Sequence, residues 1–331
     1  MQQLKVCSIE QLSRHQVDGV VRQREAGYEE FVEPSTCKHT ITHAHEGGCG
    51  SLQFEPSSHK LVSGGQDRLV KIWDTHTGAL SCTLQGCFGS VLDLAVTHDN
   101  RCVIAASSTN QLFVWESSSG RIRHTLTGHR NKVCAVDSSR ASSRNVVSAA
   151  TDYTIKMWDL HKGFCSTTIV SASNCNALSY SVDGRTVCSG HADGNLRLWD
   201  SRSGKLISEV AAHSQPVTSV CISQSGNILL TSGRDNLHNL FDVRTLEVCG
   251  TFRASRNRVA SNWSRSCMSP DENSFAAGSA DGSVYVWSSL KEDASVLDGG
   301  LLRMFFLVRG VDWASHWPLL IRMEIYVYGH D

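Results

Sequence analysis

One short sequence pattern returns six times along this 331-residue chain and constrains its fold more than any other feature. Each copy is a run of alternating, often β-branched residues that leads into an aromatic side chain. The six aromatic residues are Trp73, Trp115, Trp158, Trp199, Phe241 and Trp287. They are 42, 43, 41, 42 and 46 residues apart, and a period of about 40–45 residues is typical of one four-stranded blade of a β-propeller. The pattern predicts an all-β propeller with six recognisable blades.

Polar residues keep a fixed distance from these aromatic side chains. Six residues earlier, five of the six copies have an aspartate, and ten residues earlier all six have Ser, Thr or Ala. About 28 or 29 residues earlier, three copies have a histidine: His45, His129 and His213. Over roughly residues 37–290 these positions resemble the WD repeat, a unit that forms propeller blades.

The chemistry at these positions favours a structural role over catalysis. A buried indole N–H needs an acceptor, and a hydroxyl group can accept it while a histidine ring and a carboxylate continue the chain. Two copies have all four residue types: His45, Ser63, Asp67 and Trp73, and His129, Ser148, Asp152 and Trp158. A hydrolytic triad uses three of these types, but their return with the repeat period beside a Trp indicates a repeated structural tetrad. The sequence therefore predicts a protein that is not an enzyme.

The two ends of the chain depart from the repeat. We expect a leader or linker at residues 1–34, the propeller at 35–290 with a closing strand at 37–43, and a divergent tail at 291–331. Neither Trp313 nor Trp317 in the tail has an aspartate six residues earlier. The sequence therefore predicts a seventh blade that is irregular or incomplete. Such a ring would be less stable than a complete one and would expose hydrophobic surface.

Composition narrows the class of protein. The 31 basic and 32 acidic residues nearly cancel, which disfavours a nucleic-acid-binding protein. The 13 cysteines are odd in number and contain no C-x-x-C pair, which favours free, mostly buried thiols in a reducing compartment. We found neither a signal-peptide core nor an uninterrupted apolar run of about 20 residues. We expect a soluble, cytoplasmic protein with protein partners and without a cofactor, a metal or a transmembrane segment.

A metal site is the weaker alternative. His43 and His45 are two residues apart, and on a strand both would point to one face. Without further ligands at suitable spacing, this signal is weak.

Candidate partner-binding residues lie next to the repeated polar positions. Gln66, Thr151 and Arg234 each precede a repeat aspartate, and residues 130–132 follow His129. The candidates are Gln66, Arg130, Lys132, Arg234, Arg256, Arg258 and Trp263. An aromatic residue among arginines is typical of binding hot spots. The alternatives are ordinary solvated surface for each residue and core packing for Trp263.

Several longer stretches resemble one family within the WD-repeat proteins. They include residues 15–37, HQVDGVVRQREAGYEEFVEPSTC, and 45–55, HEGGCGSLQFE. A third is residues 261–288, SNWSRSCMSPDENSFAAGSADGSVYVWS. These stretches are similar to the autophagy-related protein 16 family, especially its plant members.

The resemblance implies a propeller that docks cargo or membrane-associated proteins during autophagosome formation. It also implies a place in the machinery that attaches the ubiquitin-like autophagy-related protein eight to phosphatidylethanolamine, with recruitment from the cytoplasm to forming autophagosomal membranes. In that family, a conjugate-binding helix and a coiled coil precede the propeller. Residues 1–30 show no sustained heptad run, so these parts are not carried over, and we expect a monomeric propeller.

A second function remains open from the residues alone. Trp199, Asp200 and Arg202 match the W-D-x-R signature by which some WD proteins bind the adaptor of a cullin-type ubiquitin ligase, and residues 241–244 are a weaker copy. This alternative predicts a substrate receptor in place of an autophagy scaffold.

Overall fold

The computed structural model describes residues 3–10, 36–42, 44–56, 58–280, 284–289, 294–297, 303–306 and 322–330. All regular elements in these ranges are β-strands, which confirms the all-β prediction. In the same ranges, no helix has the length and apolar character needed to cross a membrane.

Six four-stranded sheets follow one another along the chain, and consecutive strands within each sheet are antiparallel. We number them blades 1 to 6 and call their strands inner, second, third and outer. The strands of blades 1 and 2 are Cys49–Phe54, Lys60–Gly65, Val70–Asp74 and Leu80–Leu84, then Val91–Val96, Cys102–Ser107, Gln111–Glu116 and Ile122–Thr127. Those of blades 3 and 4 are Val133–Ser138, Asn145–Ala150, Thr154–Asp159 and Phe164–Val170, then Cys175–Tyr180, Thr186–His191, Asn195–Asp200 and Leu206–Ala211. Those of blades 5 and 6 are Val217–Ile222, Ile228–Gly233, His238–Asp242 and Val248–Phe252, then Ser266–Met268, Ser274–Gly278, Val284–Ser288 and Ala294–Leu297.

The blades are arranged around a ring, with each inner strand lying against the inner strand of the next blade. The strands differ in burial as this arrangement requires. The second strand of blade 2, Cys102–Ser107, is buried at every position, whereas the outer strand Phe164–Val170 alternates between exposed and more buried residues. A strand covered on both faces contains a continuous apolar run, and a strand with one solvated face alternates. The six-blade propeller arrangement is confirmed.

Polar contacts join neighbouring blades near their inner strands. Asp93, in blade 2, is buried and accepts hydrogen bonds from Ser51 Oγ of blade 1 at 3.1 Å and from the Val136 N–H of blade 3 at 3.0 Å. In the same way, Asp137 of blade 3 accepts the Tyr180 N–H of blade 4 at 2.8 Å. Hydrogen bonds to a carboxylate are stronger than neutral ones, so these contacts fix the spacing of adjacent sheets.

A seventh four-stranded sheet draws two strands from each end of the chain. Its strand order is Thr36–Thr42, Gln3–Glu10, Arg322–His330 and Arg303–Phe306. The strand Arg303–Phe306 lies against blade 6 on one side and blade 1 on the other. The seventh sheet is irregular because its strands come from both ends of the chain. Trp313 and Trp317 lie outside the described residues, and the predicted divisions at residues 34 and 290 and the closing strand at 37–43 stay predictions.

Candidate partner-binding surface

The four polar and aromatic residues of blade 1 form one hydrogen-bonded chain. The indole N–H of Trp73 donates to Ser63 Oγ at 2.7 Å. Since an indole can only donate, the Ser63 hydroxyl donates onward to His45 Nε2 at 2.8 Å. The His45 Nδ1–H then donates to Asp67 Oδ1 at 2.9 Å. The structure therefore brings all four predicted residues together in this blade.

Blade 3 repeats the arrangement with similar distances. Trp158 donates to Ser148 Oγ at 2.8 Å, Ser148 lies 2.7 Å from His129 Nε2, and His129 Nδ1 lies 3.2 Å from Asp152. Burial lowers the pKa of His129 to about 4, so the ring is neutral at pH 7 and can accept at Nε2. Burial alone would raise the pKa of Asp152, but its hydrogen bonds, led by those from Thr154, lower it below the ordinary value.

These serines cannot act as nucleophiles, although their order of contacts is that of a hydrolytic triad. Ser63 and Ser148 have no exposed surface, and each hydroxyl oxygen accepts the proton of a buried indole. A substrate carbonyl would have to displace that indole to reach the oxygen. The arrangement serves the interior of the blade, where each link offsets the cost of burying a polar group.

Blades 4 and 5 vary the tetrad. In blade 5, His213 contacts Thr231 Oγ1 at 2.9 Å and Asp235 at 3.0 Å, with Phe241 in place of the Trp. In blade 4, Trp199 donates to Ser189 Oγ at 2.7 Å, and Ser189 contacts His191 Nε2 at 2.7 Å.

Sequence reasoning missed His191, because it lies two residues after the serine and outside the usual histidine position. Burial lowers the pKa of His191 to about 4. The available signal was a repeat that keeps Ser189 and Trp199 but has Ser171 where the usual histidine would stand.

Blades 2 and 6 have alanine at the hydroxyl position, Ala105 and Ala277. Trp115 donates instead to the Gln85 carbonyl at 2.9 Å, whereas the Trp287 indole N–H has no hydrogen-bond partner among the described residues.

A second buried histidine network lies beside Trp287. The His238 ring centroid is 4.6 Å from that of Trp287. The ring contacts Ser232 Oγ at 2.7 Å and Asn257 Nδ2 at 2.8 Å. Burial lowers the pKa of His238 to about 3. His238 does not stand at a repeated polar position of the sequence, so spacing could not single it out.

Each tetrad aspartate also holds two loops together at one end of its blade. Asp152 lies in the loop between the second and third strands. It accepts the Arg130 N–H at 2.7 Å from the loop before the inner strand, and the N–H of Thr154, the first residue of the third strand, at 2.9 Å. The backbone of the two loops is joined directly, with Thr151 N–H donating to the Lys132 carbonyl at 3.0 Å. We call the surface formed by these two sets of loops the loop face.

The loop face carries the predicted partner-binding residues of blades 1, 3 and 5. Gln66, Arg130, Lys132 and Arg234 are all exposed there. Thr151 is only partly exposed. Sequence reasoning did not single out two aromatic residues of this face, Phe88 and Tyr153, which are 70% and 49% exposed. Phe88 follows Cys87, which stands at the tetrad histidine position of blade 2, and that register was the signal that could have found it.

The longer segment before blade 6 continues the loop face. Arg256 and Arg258 are exposed, and Trp263 is partly exposed and lies outside the buried core. The Arg234 guanidinium donates to the Ala260 carbonyl at 2.9 Å, which ties this segment to blade 5. Arg265 instead donates to the Thr218 and Asn176 carbonyls, at 2.5 and 3.3 Å. Arg265 therefore joins three blades through main-chain contacts and is separate from the exposed cluster.

Cysteine and histidine residues give no metal-binding cluster within the described ranges, and His43 lies outside them. Seven cysteines are buried: Cys49, Cys87, Cys102, Cys134, Cys175, Cys188 and Cys267. Burial raises the pKa of the Cys134 thiol to about 11, which leaves it protonated and unreactive near neutral pH.

The W-D-x-R segment lies at the end of blade 4 opposite the loop face. Asp200 accepts the Arg202 N–H at 3.1 Å and the Ser203 N–H at 2.6 Å, so its carboxylate closes a tight turn. The Arg202 side chain is exposed.

Comparison with known proteins gives the family. The family model described as WD domain, G-beta repeat matches residues 35–74, 204–242 and 248–288, and that of the anaphase-promoting complex subunit 4 WD40 domain matches 139–220. The chain is 65% identical over 291 residues to Autophagy-related protein 16 of Arabidopsis thaliana, covering 87% of this chain and 57% of that protein. It is 31% identical over 278 residues to Protein Atg16l2 of Mus musculus, covering 82% of this chain and 44% of that protein.

A pre-mRNA-splicing factor of Schizosaccharomyces pombe, cwf17, is also 31% identical over 257 residues, covering 75% of this chain and 74% of that protein. An identity near 30% therefore reflects the shared repeat, and the identity of 65% identifies the family. The chain spans about half the length of the two autophagy relatives. By this match and its repeats, the chain belongs to the autophagy-related protein 16 family, an autophagy family of WD-repeat proteins.

Proposed function

We propose that this chain is a non-catalytic docking platform of autophagy whose loop face binds other proteins during autophagosome formation. The observation that carries the proposal is that the polar residues fall into two groups, one buried in the tetrads and one exposed on the loop face. The histidine, serine and aspartate side chains of blades 1 and 3 are used inside the tetrads, and exposed basic and aromatic side chains remain on the loop face.

The charge of the loop face indicates the kind of partner. Its exposed basic residues are Arg130, Lys132, Arg234, Arg256 and Arg258. Among the described residues, none of the five forms an ion pair. Unpaired cations beside exposed aromatic rings favour a partner with an acidic rim and an aromatic or apolar centre.

The finer role follows from the family. We propose that the platform brings cargo, membrane-associated proteins or the conjugation machinery to the site where the ubiquitin-like autophagy-related protein eight is attached to lipid. The chain would act as a monomeric propeller in the cytoplasm and at forming autophagosomal membranes. Residues 35–290 would form the docking unit, between a leader at 1–34 and a divergent tail at 291–331. The relatives named above give the cullin-ligase alternative no support.

Charge reversal on the loop face tests the proposal. The double variant Arg130→Glu, Lys132→Glu changes two exposed residues whose main chain, not side chain, supports the fold. We expect the variant, expressed in autophagy-induced cells, to lose most of its co-purification with autophagy proteins and to lower the amount of lipidated protein eight.

The matched control is Arg101→Glu, an exposed arginine in the loop between the inner and second strands of blade 2 and thus at the opposite end of the blades. Equal loss in both variants, or no loss in either, would contradict a docking role for the loop face. Recovery of a ligase adaptor in place of autophagy proteins would contradict the proposed function itself.

A further inference from the structure

A basic patch lies on the end of blades 3 and 4 opposite the loop face. Its residues occupy the loops between inner and second strands and between third and outer strands. All six are exposed: Arg140, Arg144, Lys162, Arg185, Arg202 and Lys205. In the part of the chain that the structure describes, only Arg185 faces a carboxylate at ion-pair distance, 3.9 Å from Asp183.

The carboxylates in these loops are used by their own turns. Asp159 accepts the His161 N–H at 2.8 Å, Asp183 accepts the Arg185 N–H at 3.0 Å, and Asp200 accepts the Ser203 N–H at 2.6 Å. Blade 5 differs, because there Arg244 pairs with Asp242 at 2.9 Å. Apart from Arg185, the basic side chains of the patch therefore face no carboxylate at ion-pair distance among the described residues and keep their charge available to a partner.

A cleft of about 650 Å³ opens within this patch, between blades 3 and 4. Met157, Trp158 and Tyr180 line its floor and are almost fully buried. The other side chains that line it are polar and include Arg185, Arg202 and Asp200. A hydrogen bond of 2.8 Å from the Ser201 N–H to the Arg185 carbonyl holds the two arginine segments side by side. The Tyr180 ring is buried, and its hydroxyl makes no hydrogen bond within the described residues. A buried phenol usually has a partner.

We propose that this cleft is a second docking site, which binds an acidic peptide segment of a partner protein. Carboxylates of the peptide would contact Arg185 and Arg202, and a side chain between them would enter the cleft beside the exposed Ser166. The cleft volume suits a few side chains. A concave site between two blades fits a peptide better than a flat lipid surface, which would favour a planar basic face. The site lies on the other face from the surface in the proposed function and does not depend on it.

Fluorescence anisotropy on the purified chain provides the test. The probe is a labelled peptide with one leucine flanked on both sides by glutamates, and its control replaces every glutamate with glutamine. We expect saturable binding of the acidic peptide only, weaker at higher salt because exposed charges are screened. Arg185→Glu with Arg202→Glu should weaken binding about tenfold or more. The control Arg121→Glu changes an exposed arginine on the same face of blade 2 and should leave binding unchanged.

A second variant separates the cleft from general charge attraction. Ser166 is exposed and lines the cleft, so Ser166→Trp should fill the cleft and abolish binding without changing the net charge. Persistence of binding in this variant would overturn the proposal, as would equal binding of the glutamine peptide. Vesicles of phosphatidylserine and phosphatidylcholine form the last arm. If they bind through Arg185 and Arg202 while the peptide does not, the patch is a membrane surface and the peptide site is wrong. Because the measurement uses only the purified chain, its failure leaves the autophagy proposal untouched.

Discussion

Single hydroxyl groups hold the interior of the blades in place. Ser148 accepts the Trp158 indole N–H at 2.8 Å and donates to His129 at 2.7 Å, so one oxygen satisfies two buried partners. Blade 2 shows what happens without such a hydroxyl, because Trp115 there reaches the Gln85 carbonyl instead. In blade 3, the Trp158 N–H donates to Ser148 and to no other described residue.

Ser148→Ala should therefore be strongly destabilising. It leaves an indole N–H and an imidazole nitrogen buried without their partner, and each such group costs about 1–3 kcal/mol. We expect the free energy of unfolding in urea to fall by about 3 kcal/mol. The control Ser118→Ala removes an exposed hydroxyl and should change it very little. A loss as small as in this control would show that the tetrad hydroxyl contributes little.

The buried histidines make stability depend on pH. Burial lowers the pKa of His129 and His191 to about 4 and that of His238 to about 3, whereas a histidine in the unfolded chain titrates near 6.5. Between these values the unfolded state binds protons that the folded state does not. The stability that the neutral rings provide is complete above about pH 6.5 and is lost as the pH falls below it.

Urea unfolding at pH 7.5 and 5.5 measures this loss. We expect the free energy of unfolding to fall by about 1 kcal/mol for each of the three histidines. The pKa values of Asp67, Asp152 and Asp235 lie below their ordinary value. The stability that these carboxylates provide is therefore lost only at a pH below this range, and it does not change between pH 7.5 and 5.5. His161→Gln, which removes an exposed histidine, should leave the difference unchanged. If the free energy of unfolding were equal or higher at pH 5.5, the buried histidine rings would not be neutral in the folded state.

At the scale of strands and turns, the sequence predicted the structure best where one residue makes two local contacts. The repeat aspartate is an example. Asp67 orients His45 and also accepts the Leu69 N–H at 3.1 Å, which closes a turn in which Arg68 has a φ of +66°. Such a residue must keep its place in every blade that uses it, so its register predicts both the turn and the tetrad.

Contacts made by residues outside the repeated polar positions could not be predicted from spacing. His191 takes the tetrad position from within its own strand, and His238 binds Asn257 from the next blade's loop. The Trp115 contact goes to a main-chain carbonyl, which any residue supplies. The basic cleft between blades 3 and 4 also depends on loops that vary between repeats, so no period marks it. The blades and two tetrads could be derived from spacing, and these sites needed the structure.

At the scale of the whole molecule, the ring joins two ends that carry no repeat signal. Strands from the start and the end of the chain pair with each other in the seventh sheet. Val6 pairs with His39 on one side and Tyr326 on the other, and Arg303–Phe306 contacts the neighbouring blades. Without this sheet, blades 1 and 6 would each leave a face uncovered.

Lys5→Pro tests whether the seventh sheet contributes to the stability of the ring, because Lys5 pairs with Thr40 and Val327 and is not at the register shift between Val6 and Cys7. Proline has no N–H to donate and does not fit the middle of a sheet, so the substitution should break pairing to a neighbouring strand. We expect a lower melting temperature and more binding of a dye that detects exposed apolar surface. Lys5→Arg keeps the positive charge and the backbone N–H, so it should behave like the natural chain. If the proline variant melted at the same temperature and bound no more dye, the six blades would be stable without help from the two ends. The stability of the propeller would then come from contacts between neighbouring blades, such as those of Asp93, rather than from closure.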